Sequence, residues 1–234
     1  MQRRAFLLRL AALAAGAAGA GSGCNPDVPL AVGIHPWPGY EPFYIARAFG
    51  WLPDYVRLRE GGTASDSVAA MKAGELDAAA LTLDEVLAVR ASGLALTVVL
   101  VFDVSVGADA VMARRDIEQP ADVAGRPIAV ERGAVGELVL DKLLAAAGLT
   151  EADVTVLNIA PDDQLEAWRR GEIDVAIGYE PVTRLLEREG ARRLFDSRQF
   201  PGVIFDVLAV RSDRLSVRRS QLDALLSEIG RAHV

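Results

Sequence analysis

Two aromatic side chains, Trp37 and Tyr40, occupy a loop that proteins normally fill with small polar residues. The loop follows an apolar stretch, Leu30 to Ile34, that predicts a buried strand, and Pro42 then opens a predicted helix that ends at Gly50. Flat aromatic faces can stack on a ring or cover a cation, so we interpret the pair as one wall of a binding pocket. The alternative is that Trp37 closes the end of the sheet for packing alone.

Further residues also come directly after predicted strands, and they offer polar side chains or, at Gly133, a backbone amide. They complete the candidate site: Thr63, Ser65, Thr82, Asp84, Asp103, Ser105, Glu131, Gly133, Tyr179 and Glu180. The hydroxyl groups offer neutral hydrogen bonds, and the bare amides from Gly133 to Gly136 could hold an anion or a polar oxygen. The acids have a second interpretation as caps of the helices that they precede. Arg132 is the only obvious cation on the same predicted edge.

The elements that position these residues follow one plan used twice. Ser65 to Leu81 aligns without gaps with Asp162 to Gly178, and each stretch predicts a capped helix, a glycine stop and a short apolar strand. Ala108 to Ile117 aligns with Phe205 to Leu215, which predicts the strands by which the chain leaves one lobe and returns to it. We therefore expect an α/β fold of two similar lobes, with ligand bound in the cleft where the strands end.

Composition excludes several classes of function. The formal net charge is −7 and no block of Lys or Arg occurs, which argues against a nucleic-acid partner. One cysteine and two histidines argue against a disulfide framework, a metal site or a histidine-centred catalytic triad. No phosphate-binding loop or dinucleotide fingerprint indicates a cofactor.

The N-terminus is predicted to serve export. Residues 1–23 have a basic start, an apolar Ala/Leu segment and a small-residue end, as signal peptides do. Arg3 and Arg4 resemble the start of a twin-arginine signal. Gly21 to Cys24 resembles a bacterial lipobox, although Gly21 stands where an apolar residue is usual, so Cys24 is the candidate lipidation site; a plain cleavage site beside an accidental cysteine is the alternative.

The chain resembles the periplasmic substrate-binding proteins of bacterial ABC importers, in the NMT1/THI5-like branch with alkanesulfonate-, nitrate- and thiamine-precursor-binding members. The resemblance rests on short motifs in a shared order over nearly all of residues 28–226: Trp37-Pro38-Gly39-Tyr40-Glu41-Pro42, Gly74-Glu75-Leu76-Asp77, Ser105-Val106-Gly107-Ala108-Asp109, Asp122-Val123-Ala124-Gly125, Val130-Glu131-Arg132-Gly133 and Gly171-Glu172-Ile173-Asp174.

The resemblance implies a type 2 periplasmic-binding-protein fold, with lobe 1 over residues 28–106, lobe 2 over 107–206 and a return to lobe 1 over 207–228. It also implies that the protein passes a small solute to a membrane permease and its ATPase. Together with the signal and lipidation features of residues 1–24, this leads us to expect a monomeric, exported lipoprotein anchored in the periplasm or at the outer cell surface. No cofactor and no metal are implied.

The C-terminus departs from this family. Its members usually continue for several more helices, so we expect the first lobe to be incomplete after a helix predicted over Ser216 to Glu228. Residues 229–234 match the translation of a widely used sequencing-adapter oligonucleotide, and they are interpreted as a non-native tail outside the pattern of Leu222, Leu225 and Leu226.

Two other classes of function compete with solute binding. An enzyme of pyrimidine or thiamine-precursor metabolism shares the fold, but the related synthases use a cysteine cluster and histidines that this sequence lacks. The effector lobe of a transcription regulator would need a basic helix-turn-helix and no export signal. We therefore expect a binding protein and no enzyme.

The chemistry of the candidate site favours one kind of solute. Carboxylates penalise a bare dianion and favour amine or ring N–H donors, and the aromatic faces suit a ring. We expect a small organic solute that carries nitrogen, such as an aminopyrimidine-like heterocycle, over nitrate or an alkanesulfonate.

Overall fold

Two five-stranded sheets organise residues 28–233, which are the residues that this computed structural model describes. The first sheet has the order β2-β1-β3-β10-β4, with strands β1 (Leu30–Ile34), β2 (Val56–Glu60), β3 (Ala78–Thr82), β4 (Leu96–Val104) and β10 (Phe205–Arg211). The second has the order β7-β6-β8-β5-β9, with strands β5 (Ala110–Ala113), β6 (Pro127–Val130), β7 (Thr155–Asn158), β8 (Val175–Gly178) and β9 (Arg192–Asp196).

The two sheets share one topology. In each, three strands run parallel, and the strand beside them, β10 or β5, is antiparallel to both of its neighbours. The parallel strands β3 and β8 are buried over their whole length, as expected for strands covered by helices on both faces. The predicted α/β fold of two similar lobes is confirmed, and the predicted first strand has the bounds Leu30–Ile34 that the structure shows.

Helices flank both sheets. They are α1 (Glu41–Ala48), α2 (Ala64–Ala73), α3 (Leu83–Ala91), α4 (Val135–Ala147), α5 (Pro161–Arg170), α6 (Val182–Arg188), α7 (Ser212–Leu215) and α8 (Arg219–Ala232). None of the helices within residues 28–233 is long and apolar enough to cross a membrane.

The internal repeat is visible in the helix ends. Helices α2 and α5 both end at a glycine in the left-handed conformation, Gly74 with φ 77° and Gly171 with φ 70°. Only glycine adopts this conformation without a steric penalty, so the same stop signal turns each helix into the next buried strand.

The chain crosses between the sheets twice, and the two crossings are joined. The Ser105 backbone N–H, after β4, donates to the Ile204 carbonyl at 3.0 Å, and the Ser105 and Ser197 hydroxyls are 2.8 Å apart. The Gly107 N–H donates to the same Ser197 hydroxyl at 2.6 Å. Ser105 is thus bonded at the crossover, and it does not line the cavity described below.

The C-terminal helix corrects one expectation. Helix α8 extends to Ala232, and Ile229 is only 1% exposed in the same apolar cluster as Leu222 and Leu225. The Arg231 guanidinium also lies 4.0 Å from the Trp51 ring centre. The statement that residues 229–234 fall outside the helical pattern is therefore wrong for Ile229, which continues the buried stripe.

Strand β4 is an edge of the first sheet and carries exposed apolar side chains. Val98, Val101 and Val104 are each more than a third exposed, and Val106 just beyond the strand is 70% exposed. The signal peptide predicted over residues 1–23 and the lipidation site at Cys24 lie outside the described residues.

Candidate functional site

A buried cavity lies where the two lobes meet. The first lobe contributes His35 after β1, Trp37, Thr82 at the end of β3, Glu85 in α3 and Asp206 in β10. The second lobe contributes Asp109 before β5, Val135 at the start of α4, and Tyr179 after β8. The space left between these side chains is about 10 Å³, roughly the room of one water molecule.

A second small cavity adjoins the first and lies inside the second lobe. It shares Asp109, Val135 and Tyr179 with the first cavity and adds the Glu131 carboxyl. Four strands, β1, β3, β6 and β8, meet the two cavities at their carboxyl ends. Ligands of open α/β sheets bind at this edge.

Trp37 lies between the lobes. Its ring meets the Tyr179 ring edge to face, with centroids 5.7 Å apart and an interplanar angle of 88°. Trp37 is half-buried and packs against the apolar clusters of both lobes. Its indole Nε1 is buried and has no hydrogen-bond partner within residues 28–233.

Tyr40 does not present a stacking face to the cavity, which corrects its predicted role. The side chain is fully buried in the first lobe, edge-on to His35 with ring centroids 5.1 Å apart, and it packs on Phe102. Its hydroxyl donates to Asp206 Oδ1 at 2.7 Å, so Tyr40 acts behind the cavity by holding an acid that lines it.

The backbone of the aromatic loop passes very close to polar side chains at Gly39. A β-carbon there would lie 2.0 Å from Asp103 Oδ2 and 2.4 Å from Trp37 Nε1, which real side chains essentially never do. The glycine in this motif therefore permits the close approach that sets Trp37 and Asp103 on one side of the cleft.

Hydrogen bonds cross the cleft in both directions. Glu85 Oε2 accepts from the backbone N–H of Thr82 in its own lobe at 2.8 Å, and Glu85 Oε1 accepts from the Val135 N–H at 3.1 Å. Conversely, Glu131 Oε1 accepts from the Ser65 N–H at 3.3 Å, and the Ser65 hydroxyl donates to the Arg132 carbonyl at 3.4 Å. The structure is thus a closed conformation in which a carboxyl group of each lobe bonds a helix start in the other.

Three acids that line the first cavity, Glu85, Asp109 and Asp206, have pKa values above those of free carboxyls. Burial, reinforced by Asp84, raises the pKa of Glu85 to about 8. Burial raises the pKa of Asp109 to about 6. The pKa of Asp206 lies well above its usual value, chiefly because of burial and with further increases from the nearby Asp103 and Asp109 charges.

No fixed positive charge balances these acids within the described part of the chain. Burial lowers the pKa of His35 to about 4, so the imidazole is neutral at physiological pH. No Lys or Arg side chain lines either cavity. Arg132, predicted as the cation of this edge, is paired instead with Glu137 at 3.2 Å and with Glu151.

Other predicted site residues lie away from the cavity. Thr63 caps α2, with its Oγ1 accepting the Asp66 N–H at 3.3 Å. Gly133 is exposed, with φ 76°, and serves a turn. Glu180 is 3.3 Å from Arg193 Nη2, so its charge is neutralised outside the cavity. Asp84 sits half-buried in the first turn of α3, where burial raises its pKa.

The candidate set omits five residues that line the first cavity: His35, Glu85, Asp109, Val135 and Asp206. One signal for two of them was present, because Asp109 and Asp206 occupy the same position in the aligned repeat of β5 and β10. Glu85 had no such signal, since a Glu in the first turn of a helix is usually a cap. No group of three His, Cys, Asp or Glu side chains in residues 28–233 is arranged to hold a metal ion.

Known proteins resemble this chain in sequence and fold. The taurine-binding periplasmic protein of Escherichia coli (strain K12) is 32% identical over 108 residues, which are 45% of this chain and only 33% of that protein. The periplasmic aliphatic sulphonate binding protein SsuA from Escherichia coli has a TM-score of 0.71 at 18% identity, over 88% of this chain and 72% of that chain.

An enzyme shares the fold too. The desulfurization enzyme DSZB has a TM-score of 0.60 at 18% identity, over 88% of this chain and 75% of that chain. At such identities both structures show likeness of fold alone. A family model described as NMT1/THI5 like matches residues 37–229, which span the aromatic loop, every strand of the two sheets except β1, and most of helix α8. The chain belongs to the NMT1/THI5-like family.

Proposed function

We propose that this protein captures a small organic solute between its lobes, outside the cytoplasm, and delivers it to the permease and ATPase of an ABC importer. The observation that carries the proposal is the cavity at the lobe junction, which side chains of both lobes line and which hydrogen bonds from both lobes close. The relative from Escherichia coli is itself a taurine-binding periplasmic protein, which supports this proposal.

A solute that contacts both lobes should favour the closed conformation of the protein. A ligand shifts a hinge equilibrium only if it binds the closed state better than the open one, which requires contacts from both lobes at once. Trp37 and Tyr179 supply such contacts from opposite sides of the junction. With about 10 Å³ left in the closed cavity, an organic solute must displace part of the present packing, so binding accompanies a wider cleft.

The polar groups of the site favour a solute that carries nitrogen donors. The cavity is lined by carboxyl groups and a neutral imidazole, and the Val135 amide that an anion would need is already bonded to Glu85. An amine or a ring N–H satisfies such acceptors, whereas nitrate or a bare sulfonate meets no Lys or Arg side chain among the described residues that line the cavities.

The location is proposed from the N-terminal sequence. Cys24 ends a signal-like segment, so the mature protein would be a lipoprotein at the outer face of the cytoplasmic membrane. Metabolic labelling with a palmitate analogue tests this, with Cys24→Ala as the control. Continued membrane fractionation of Cys24→Ala protein would contradict an acyl anchor.

Calorimetry with a panel of solutes tests the proposed function. The panel holds aminopyrimidines, amino acids, aminosulfonates, alkanesulfonates and nitrate, and a micromolar dissociation constant for a nitrogen-bearing member is the expected result. Mass spectrometry of the recovered solute separates binding from catalysis, because a binding protein returns it unchanged. Chemical conversion of the solute would instead favour an enzyme of pyrimidine or thiamine-precursor metabolism.

A further inference from the structure

The described chain enters the fold at the end of the first lobe that lies opposite the cleft. Val28 leads directly into β1, and the other end of β1 leads to His35 in the cavity. The 5 residues of β1 separate these ends by roughly 16 Å. Cys24 precedes Val28 by four residues, so even a fully extended chain keeps the cysteine within about 14 Å of Val28. A lipid on Cys24 would therefore hold this end of the lobe against the membrane.

Helix α7 and the start of α8 build the surface around Val28. Arg218, which precedes α8, donates from Nη1 to the Val28 carbonyl at 2.9 Å. Arg214 Nε lies 3.7 Å from Asp77 Oδ1, and the other oxygen of Asp77 accepts the Ala31 N–H of β1 at 3.0 Å. These contacts fix both helices at the amino ends of β1 and β3.

This surface is basic in a chain that is acidic overall. Residues 211–219 hold four arginines and one aspartate, a net charge of +3, against −7 for the whole chain. Arg211 is paired with that aspartate at 3.0 Å, and both it and Arg218 are largely buried. The side chains of Arg214 and Arg219 are 42% and 73% exposed. Arg214 and Arg219 are therefore the cations of this segment that an anionic partner can reach.

Exposed apolar side chains accompany the two arginines. Val28 is 42% exposed, and Val217, which lies between the arginines in sequence, is 52% exposed. Pro29 is exposed as well. Such a mixture suits the boundary between lipid headgroups and acyl chains, where apolar side chains are buried at shallow depth and arginine reaches the phosphates. A soluble anion would contact the arginines but would gain nothing from the apolar side chains.

We propose that Val28, Pro29, Arg214, Val217 and Arg219 form an anchor face, which binds the headgroups of anionic phospholipids in the membrane that holds the Cys24 anchor. The inference rests on the proposed location, because it takes Cys24 to carry the lipid. One acyl chain alone binds a membrane only marginally, and a basic patch is a second signal that makes such an anchor stable. Contact through the anchor face turns the cleft away from the bilayer, towards the solution that holds the solute.

A single chemical anchor tests the proposal, because Cys24 is the only cysteine of the sequence. The chain from residue 24 to residue 234, which keeps every described helix and strand, is alkylated at Cys24 with a maleimide that carries one myristyl chain. Sedimentation measures its partition into vesicles of phosphatidylcholine alone and into vesicles with about one third phosphatidylglycerol. The myristyl chain contributes equally to both, so the ratio of the two partition coefficients isolates the contribution of the anionic headgroups.

The expected ratio follows from the two exposed arginines. Each basic side chain close to an anionic surface strengthens binding about fivefold, so partition into the anionic vesicles should be at least about tenfold higher at about 0.1 M salt. The ratio should approach one at about 1 M salt, where the screening length falls from about 10 Å to about 3 Å.

Paired variants locate the contact. Arg214→Gln combined with Arg219→Gln removes both exposed cations and should bring the ratio close to one. Arg169→Gln combined with Arg170→Gln is the matched control, because it removes the same charge from exposed side chains at the end of α5 in the other lobe, and it should leave the ratio unchanged. Asp223→Asn removes the partner that lies 3.0 Å from Arg219 and should raise the ratio. Circular dichroism checks the fold; if the first double variant is misfolded, Arg219→Gln alone replaces it.

The contrary outcomes are separate from those of solute binding. Equal partition into both kinds of vesicle overturns headgroup recognition, and so does a preference that persists at about 1 M salt. An equal loss of preference in the two double variants overturns the assignment to the anchor face. The assay contains neither solute nor permease, so none of these results changes the proposed function. Absence of palmitate label on Cys24 in cells would overturn the anchor and this proposal together, and the solute panel would still decide the proposed function.

Discussion

Glu85 of the first lobe accepts a hydrogen bond from the backbone N–H of Val135 in the second lobe, at 3.1 Å. Val135 is the first residue of helix α4, so the carboxyl group lies at the positive end of that helix. Glu131 makes the reverse contact with Ser65 at the start of α2. The closed conformation is therefore held by two contacts of the same kind, pointing in opposite directions across the cleft.

Removing the Glu85 carboxyl should open the protein. Glu85→Ala leaves the buried N–H groups of Thr82 and Val135 without acceptors, which costs about 1–3 kcal/mol for each group that stays buried. Opening lets water reach them, so the expected result is a larger radius of gyration in solution X-ray scattering of the ligand-free protein. Glu137→Ala, which removes a partly exposed acid on α4 that pairs with Arg132, is the control. Identical scattering curves for Glu85→Ala and the parent would contradict a latch.

Stability should fall as pH rises above neutrality. Glu85 has a pKa of about 8 in the fold against an ordinary 4.5, so between these values the folded state keeps a proton that the unfolded state has lost. His35, with its pKa lowered to about 4 from 6.5, acts in the opposite direction but only below pH 6.5. We expect a lower melting temperature at pH 8.5 than at pH 6.5, and a smaller difference in Glu85→Gln. Equal melting temperatures in the parent would refute this assignment.

Trp37 should be the aromatic residue on which affinity depends most. Its ring contacts the Tyr179 ring across the junction and packs against the apolar clusters of both lobes. Truncation to alanine therefore removes contacts with both lobes at once. Trp37→Ala is expected to weaken binding of the best solute in the panel by ten- to a hundredfold, about 1–3 kcal/mol. Phe49→Ala is the matched control, because Phe49 is 68% exposed and stacks on Trp51 away from the cleft.

Gly39 should tolerate no side chain. An alanine β-carbon would meet Asp103 Oδ2 and Trp37 Nε1 well inside contact distance, so these two side chains or the loop must move. Gly39→Ala is expected to lower the free energy of unfolding by about 1–3 kcal/mol and to weaken solute binding. Gly230→Ala is the opposite case, since nothing lies within 4 Å of that helical position and alanine favours a helix by about 0.5–1 kcal/mol. Denaturant titration of both variants measures the contrast.

The C-terminal residues should contribute to stability. Ile229 is 1% exposed, so Ile229→Ala is expected to cost about 2–5 kcal/mol of unfolding free energy, as buried isoleucines usually do. Leu87→Ala, at a position that is 57% exposed on α3, should cost far less. A melting curve for Ile229→Ala that matches the parent would return residues 229–234 to their first interpretation as a tail outside the fold.

The fold was largely readable from the sequence because its signals are local. Glycine stops at Gly74 and Gly171, apolar strands and a gapless repeat are properties of neighbouring residues, and each dictates local structure directly. The partial exception is α8, where the adapter-like sequence of residues 229–234 obscures the helical spacing that Ile229 keeps.

The site was less readable because its geometry arises between distant segments. Trp37 and Tyr179 were identified by type, yet Tyr40 belongs to the core, since its hydroxyl finds Asp206 from 166 positions away. Glu85 looks like an ordinary capping acid until the second lobe brings Val135 against it. Such pairings depend on how the lobes meet, which no local pattern records.

The open edge of β4 bears on how the protein should be handled. A strand edge with exposed Val98, Val101 and Val104, and without Lys or Pro between residues 96 and 104, is a template for strand addition between molecules. Concentrated samples will precipitate sooner than a net charge of −7 suggests. Salt screens the long-range charge repulsion between molecules, but it does not prevent hydrogen bonding and apolar contact at the exposed edge of β4. A lysine at position 101 would make the chain easier to keep in solution without touching the cleft.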